Sequence, residues 1–252
     1  LNSECIFATH AKVYNFCAFT KGKEKYFRDL FNQEIFCLQH GLTIQDIPHL
    51  QNRLYDNTKL YFCASLLEIK NISNERYGYL GYDYIKKTGL ARYDGLKSKK
   101  KKQILIIPTW RSDMANSVTS IGNTRPYFKE FKNTIYFKIY NKLINDKRLI
   151  NYAKNNGYKI VYLIHPTLTN QIADFDKNDW VSIYAVTGDK SYEKLFTESS
   201  LMITDYSGVQ FDFAYMKKPI IYFHPDSLPP HYNNGMNYLN DGFGPIIKEY
   251  DK

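Results

Sequence analysis

The sequence offers little that would anchor it in a bilayer, staple it or load it with metal. No apolar run approaches the roughly 20 residues that a membrane-spanning helix needs, because Lys, Asp or Pro interrupts the longest ones. The opening text has no basic segment followed by an apolar one, so no secretory leader is read there. Starting at Leu1 rather than Met, it reads as an excised or processed fragment of a soluble region. Cys5, Cys17, Cys37 and Cys63 are the 4 cysteines, and none stands in a CxxC pair. That usage predicts reduced, buried thiols of a cytosolic protein rather than disulfides or zinc ligands. His10, His49, His224 and His231 are scattered, and no acidic pair has a spacing suited to Mg²⁺, so no metal is expected. Neither an internal repeat nor an extended low-complexity tract is present.

What is abundant is aromatic and basic. The 252 residues include 23 Tyr and 16 Phe among 44% hydrophobic residues, enough for a sizeable core rich in rings. A formal charge of +9 and a pI near 9.1 favour polyanionic partners such as nucleotide phosphates, phosphate-rich polymers, anionic lipid or nucleic acid. The basic residues are dispersed, and the run Lys97-Ser98-Lys99-Lys100-Lys101-Lys102 lacks interleaved aromatics, which argues against nucleic acid. That run reads as a solvated linker or, alternatively, as a patch for a lipid surface or polyanion.

From Gln103 onward, short apolar runs alternate with longer amphipathic ones. Strands are predicted at Ile104–Ile107, Lys159–Ile164, Val181–Val186, Leu201–Thr204 and Pro219–Phe223, with helices near Tyr127–Asn155, Ser191–Glu198 and Val209–Met216. This β-α-β-α-β order predicts a mostly parallel sheet in a Rossmann-like domain over residues 96–252. Residues 1–95 give a less complete α/β pattern, with apolar runs at Ile6–Ala8, Val13–Phe19, Glu34–Leu38 and Leu60–Ala64. Two such domains facing each other would bind ligands between the carboxyl ends of their strands.

Four polar clusters stand at such ends. Gln39-His40-Gly41 follows an apolar run, where His40 suits accepting a proton from an attacking hydroxyl and Gly41 suits a turn or a close ligand approach. A histidine merely capping the strand is the competing interpretation. Pro108-Thr109-Trp110-Arg111, with Arg125 beyond it, offers a hydroxyl and a guanidinium to phosphate oxygens, or simply an ordinary turn. His165-Pro166 ends a further strand. Thr204-Asp205-Tyr206-Ser207-Gly208 turns a strand into a helix and would present backbone N–H groups and hydroxyls to a phosphate. Alternatively Asp205 or Ser207 only caps that helix. Asp212, among Val209, Phe211 and Phe213, is costly to bury unless paired or bound to hydroxyls.

Taken together and in order, Leu38-Gln39-His40-Gly41, Thr88-Gly89-Leu90-Ala91-Arg92-Tyr93-Asp94, Pro108-Thr109-Trp110-Arg111, His165-Pro166, Ile203-Thr204-Asp205-Tyr206-Ser207, Phe211-Asp212 and Lys218-Pro219 resemble the CDP-glycerol glycerophosphotransferase family of teichoic-acid and capsule polyol-phosphate transferases. The resemblance runs from about Phe36 to Gly244. Gly208 stands where the family often has a second Ser, and Ala91 where many members have Pro.

The resemblance implies a GT-B architecture, the first Rossmann-like domain incomplete and on the acceptor side, the second binding the nucleotide donor. The implied reaction moves glycerol phosphate or ribitol phosphate from a CDP-linked donor to an acceptor hydroxyl of a teichoic-acid-like or capsular polymer and releases CMP. It requires no cofactor. His40 and His165 would be catalytic, and Gly41, Leu42, Thr43, Arg92, Pro108, Thr109, Ser207, Gly208 and Asp212 would bind the donor and its phosphates. The implied partners are the CDP-linked donor and a lipid-linked or polymeric acceptor, met at the cytoplasmic face of a bacterial cell membrane without a nucleic-acid partner. A GT-B glycosyltransferase using a sugar nucleotide and a non-catalytic nucleotide-binding module are the alternatives.

Overall fold

The computed structural model describes residues 3–9, 32–55, 58–81, 83–114, 125–185, 191–230 and 236–249. The expected strand at Val13–Phe19, together with His10, Cys17, Val186 and His231, lies outside them. The chain divides into two compact units between Asp94 and Gly95.

The first unit carries a four-stranded parallel sheet, β1 (Cys5–Ala8), β2 (Glu34–Cys37), β3 (Thr58–Cys63) and β4 (Ile85–Lys87), arranged in sequence order. Its core gathers Cys37, Tyr61, Cys63, Ile72, Tyr77 and Tyr79. Helix α1 (Leu66–Ile72) follows β3, and the Ser65 hydroxyl accepts the Glu68 N–H at 3.1 Å as its N-cap. The Ser-x-x-Glu spacing resembles a capping box, but the Glu68 carboxylate reaches past Ser65 to the Ala64 N–H at 2.8 Å.

In the second unit, β5 (Gln103–Ile107) is followed by α2 (Ile135–Ile144), α3 (Lys147–Asn156), β6 (Lys159–Leu163) and β7 (Val181–Tyr184). Then come α4 (Tyr192–Glu198), β8 (Leu201–Thr204), α5 (Gln210–Tyr215), β9 (Ile220–Phe223), α6 (Tyr238–Asp241) and β10 (Ile246–Ile247). All neighbours pair parallel in the order β10-β9-β8-β5-β6-β7. Counted from β5, this is the doubly wound order 3-2-1-4-5-6, whose direction of progress reverses between β5 and β8. The expected parallel α/β class is therefore present. The long helix expected near Tyr127–Asn155 is instead a 3₁₀ turn at Phe131–Asn133 followed by α2 and α3. It breaks because the Asp146 carboxylate accepts the N–H groups of Arg148 at 2.8 Å and Leu149 at 3.2 Å and starts α3 afresh. The abundant aromatics do fill the core: Phe131, Tyr136, Tyr140, Tyr162 and Phe175 pack on one another between the helices and the sheet.

The basic run before β5 is not a loose linker throughout. The N–H groups of Lys99 and Lys101 donate to the carbonyls of Thr197 and Glu198 at 2.8 and 2.7 Å, guiding the chain along the end of α4 into the sheet. The same helix end is closed from the other side by buried Lys218, whose Nζ donates to the carbonyls of Phe196, Thr197 and Ser199 at 2.5, 2.7 and 2.7 Å. A lysine here satisfies carbonyls that the helix itself leaves without partners. Lys218→Met keeps the apolar stem and removes all three bonds. It is expected to lower the unfolding free energy by about 2–4 kcal/mol, measured as a fall in the urea midpoint at unchanged slope.

Candidate functional site

In an open parallel sheet, the loops leaving adjacent strands in opposite directions at the reversal point open a crevice beyond the carboxyl ends. In the second unit that point is β5/β8, where Ile107 pairs with Thr204. The two strand ends are tied by one side chain. Asp205 is 1% exposed, and its Oδ1 accepts the N–H of Thr109 at 2.8 Å and of Tyr206 at 2.6 Å. Its Oδ2 accepts from Arg111 Nη2 at 2.9 Å and from the Tyr140 hydroxyl at 3.2 Å. The Thr204 hydroxyl adds a bond to the Ile107 carbonyl at 2.7 Å.

Two expectations are corrected here. Arg111 does not face a phosphate: it is 5% exposed, and besides Asp205 it donates to the carbonyls of Pro229 at 2.7 Å and Thr109 at 2.6 Å. Burial works against its charge, yet Asp205 outweighs burial and holds the guanidinium above its ordinary pKa. Nor does Asp205 cap a helix, since α5 begins at Gln210 behind Val209, which makes no side-chain cap bond. His224 completes the bracket: its ring lies on Tyr206 with centroids 4.2 Å apart, and Nε2 donates to the Asp205 carbonyl at 3.0 Å. Burial lowers its pKa, favouring the neutral ring.

With the bracket occupied by Asp205, the neighbouring polar groups remain for a ligand. Among the described residues, the N–H groups of Ser207, Gly208 and Val209 have no hydrogen-bond partner, and neither does the Ser207 hydroxyl. The buried Thr109 hydroxyl oxygen has none either. A buried hydroxyl left so is costly unless something arrives to satisfy it. Pro108 and Asp212 are buried beside these loops, Asp212 in the first turn of α5 at 2% exposure.

His165 leaves the adjacent strand, β6, and begins a 3₁₀ segment at Pro166–Asp174. Its Nδ1 accepts the Thr167 N–H at 3.2 Å, so in the neutral ring the proton sits on Nε2, a hydrogen-bond donor. The ring lies 6.0 Å from that of Trp110, which in turn carries the Arg125 guanidinium 4.8 Å above its face.

In the first unit, the loop after β2 places His40 at the surface with the opposite tautomer. Nδ1 faces the Thr9 carbonyl at 3.0 Å. A carbonyl only accepts, so Nδ1 holds the proton and the basic lone pair lies on Nε2. The residue that makes this turn is Gln39, with φ +60°, and not Gly41, whose φ is not left-handed. For a non-glycine residue that conformation costs about 1–2 kcal/mol. Arg92, from the 3₁₀ segment Ala91–Gly95, donates to the His40 carbonyl and lies over Gly41, where a Cβ would meet its guanidinium at 3.6 Å. Leu42 and Thr43 are turned inward. The Thr43 hydroxyl donates to Gln39 Oε1 at 3.2 Å and its N–H to Glu68 Oε1 at 2.9 Å, which holds the loop.

His40, Gly41 and Arg92 are thus together in the first unit, and Thr109, Ser207, Gly208 and Asp212 lie around the β5/β8 reversal of the second. Glu68 and His224 were not expected as parts of these sites, and Asp205, expected in the phosphate-facing turn or as a helix cap, instead joins the two strand ends. The Ser-x-x-Glu spacing marks Glu68 as a helix-start residue but carries no sign of its reach to the His40 loop.

Among the described residues, no group of three or more His, Cys, Asp or Glu side chains is placed to hold a metal ion. No helix among them is long and apolar enough to cross a membrane.

Comparison with known proteins bears on both units. Over all 252 residues the chain is 40% identical to the minor teichoic acid biosynthesis protein GgaB of Bacillus subtilis (strain 168), of which it covers 28%. A structure of the wall teichoic acid polymerase TagF aligns with 86% of this chain and 56% of that one at TM-score 0.54 and 20% identity. UDP-GlcNAc 2-epimerase of Methanocaldococcus jannaschii, in complex with UDP-GlcNAc and UDP, aligns with 97% of this chain and 65% of that one at TM-score 0.53 and 13% identity. Both show a GT-B-like fold of Rossmann type. The model of the family described as CDP-glycerol:poly(glycerophosphate) glycerophosphotransferase matches residues 14–252, and the chain belongs to that family.

Proposed function

We propose that this chain transfers glycerol phosphate, or ribitol phosphate, from a CDP-linked donor to an acceptor hydroxyl of a teichoic-acid-like or capsular polymer, releasing CMP. The observation that carries the reading is the β5/β8 reversal point, where backbone N–H groups at Ser207–Val209 and the Thr109 hydroxyl have no protein partner among the described residues. Donors of this kind, fixed by a buried ion pair, suit phosphate oxygens and need no rearrangement as charge develops on them. The family's description supports the chemical class of the donor, and the name of the relative GgaB the class of polymer.

In the proposed reaction the acceptor oxygen attacks the phosphorus that bears the polyol. The bond from that phosphorus to the bridging oxygen breaks, and the oxygen leaves with CMP. His40 Nε2 takes the acceptor proton, while His165 Nε2–H donates to an oxygen of the transferring or leaving phosphate. The opposite tautomers of the two rings support this assignment, one offering a lone pair and the other a proton. Thr109, Ser207, Gly208 and Asp212 would hold the donor, with Pro108 shaping the wall; Arg92 and Gly41, which the resemblance assigns to the donor, lie against the His40 turn and in this reading would serve the acceptor side. The charge of +9 suits a polyanionic product and a lipid-linked acceptor at the inner face of the membrane.

A donor screen tests the proposal directly. CDP-glycerol, CDP-ribitol and UDP-sugars are offered with a polyol-phosphate acceptor, and the released nucleotide is identified. CMP release from a CDP-polyol is the expected result. UDP release from a sugar nucleotide alone would make the chain a glycosyltransferase, and CDP binding without turnover would make it a binding module.

A further inference from the structure

The His40 loop is held from beneath by a carboxylate that touches neither ring nor solvent. Glu68 is 0% exposed. Its Oε1 accepts from Gln39 Nε2 at 2.9 Å and from the Thr43 N–H at 2.9 Å, and its Oε2 accepts from the Ala64 N–H at 2.8 Å. Gln39 Nε2 also donates to the Phe62 carbonyl at 2.9 Å, and Gln39 Oε1 accepts the Thr43 hydroxyl. The ring Gln39–Glu68–Thr43 therefore closes around the five-residue loop whose second member is His40, and ties it to the carboxyl end of β3.

We propose that Glu68 is a positioning residue for His40, locking the left-handed Gln39 turn that aims the imidazole. The proposal rests on the reading of His40 as the base. Three features carry it. Gln39 adopts a backbone conformation that a non-glycine residue keeps only when its surroundings impose it. The bonds that impose it converge on Glu68, from both sides of His40. The groups donating to Glu68 are three N–H groups and the Cys63 thiol, so the site is made for a carboxylate, and an amide would set a donor against a donor. Burial raises the Glu68 pKa while the Thr43, Ala64 and Gln39 donors pull it back, which is the expected balance for a buried acceptor with a full set of donors.

The test uses the protein carrying this chain and three readouts. Glu68→Gln is expected to lower kcat about 10- to 100-fold while the donor KM stays within about threefold, because the base is misaimed and donor binding is not touched. Adding Gln39→Gly should recover at least about fivefold of that loss, since glycine takes φ +60° without strain. In spectra of ¹⁵N-histidine protein, wild-type His40 should show the Nδ1–H tautomer and Glu68→Gln a mixture. Should Glu68→Gln fail to fold, Thr43→Val removes one bond of the ring and leaves the carboxylate in place; it is expected to lower kcat about two- to tenfold. Wild-type kcat in the folded variant, or an unchanged His40 tautomer, overturns the proposal. Full activity of His40→Ala would remove the base assignment instead, and the tautomer measurement would still decide whether Glu68 sets the ring.

Discussion

Asp205→Ala is expected to cost about 3–5 kcal/mol of stability, the largest loss for any single side chain at the β5/β8 reversal. The size follows from what is left behind. Arg111 stays buried with its charge but without the carboxylate 2.9 Å away, and the Thr109 and Tyr206 N–H groups lose their acceptor. Asp205→Asn would keep an oxygen for those two N–H groups but point its amide nitrogen at the guanidinium. Its loss should therefore be smaller, about 2–3 kcal/mol. Because the cost is chiefly that of an unpaired buried charge, Arg111→Met combined with Asp205→Ala should be more stable than Asp205→Ala alone. Urea unfolding of the wild type, Asp205→Ala, Arg111→Met and the double variant gives the coupling energy. A loss under about 0.5 kcal/mol for Asp205→Ala would show that the pair does not hold the strand ends. The folded Asp205→Asn protein should also bind donor more weakly, as a higher KM in CMP release, since the Thr109 and Ser207 loops hang on that carboxylate.

The same cluster shows how far the amino-acid sequence reaches and where it stops. Strand β8 was legible to the residue, Leu201–Thr204, because three apolar residues and a threonine run into Asp-Tyr-Ser-Gly, a sharp change from buried text to turn text. The alternation of strands and helices then implied a parallel sheet, and with it the principle that polar residues at carboxyl ends gather near one another. The role of Arg111 is not legible in this way, because its partner lies 94 residues away and a guanidinium after a strand looks the same whether it meets a phosphate or a buried aspartate. Strands β4 and β10, of three and two residues, are too short to show any period. Gln39 hides its role for another reason. Left-handed turns are anticipated at glycine, and Gly41 stood two residues on, but the side chain that can be anchored to Glu68 is the one that takes the strain.

His40→Ala is expected to lower the rate of CMP release by about 10²–10⁴-fold, the range of a single general base. The fold should tolerate it: His40 is exposed, and beyond the Nδ1 bond to the Thr9 carbonyl its main contribution to the loop is a backbone carbonyl that alanine also offers to Arg92. A stability change within about 0.5 kcal/mol is therefore expected. Donor KM should stay within about threefold, because the groups proposed to hold the nucleotide and its phosphates belong to the second unit. That pattern, a large fall in kcat with KM and stability kept, distinguishes a base from a binding residue and from a structural one. His165→Ala should behave differently. Its Nε2–H is assigned to a phosphate oxygen, so kcat should fall and donor KM should rise with it. Full activity in His40→Ala would sink the role given to that ring. A fall in kcat matched by an equal rise in KM for the acceptor alone would make it an acceptor-binding group instead.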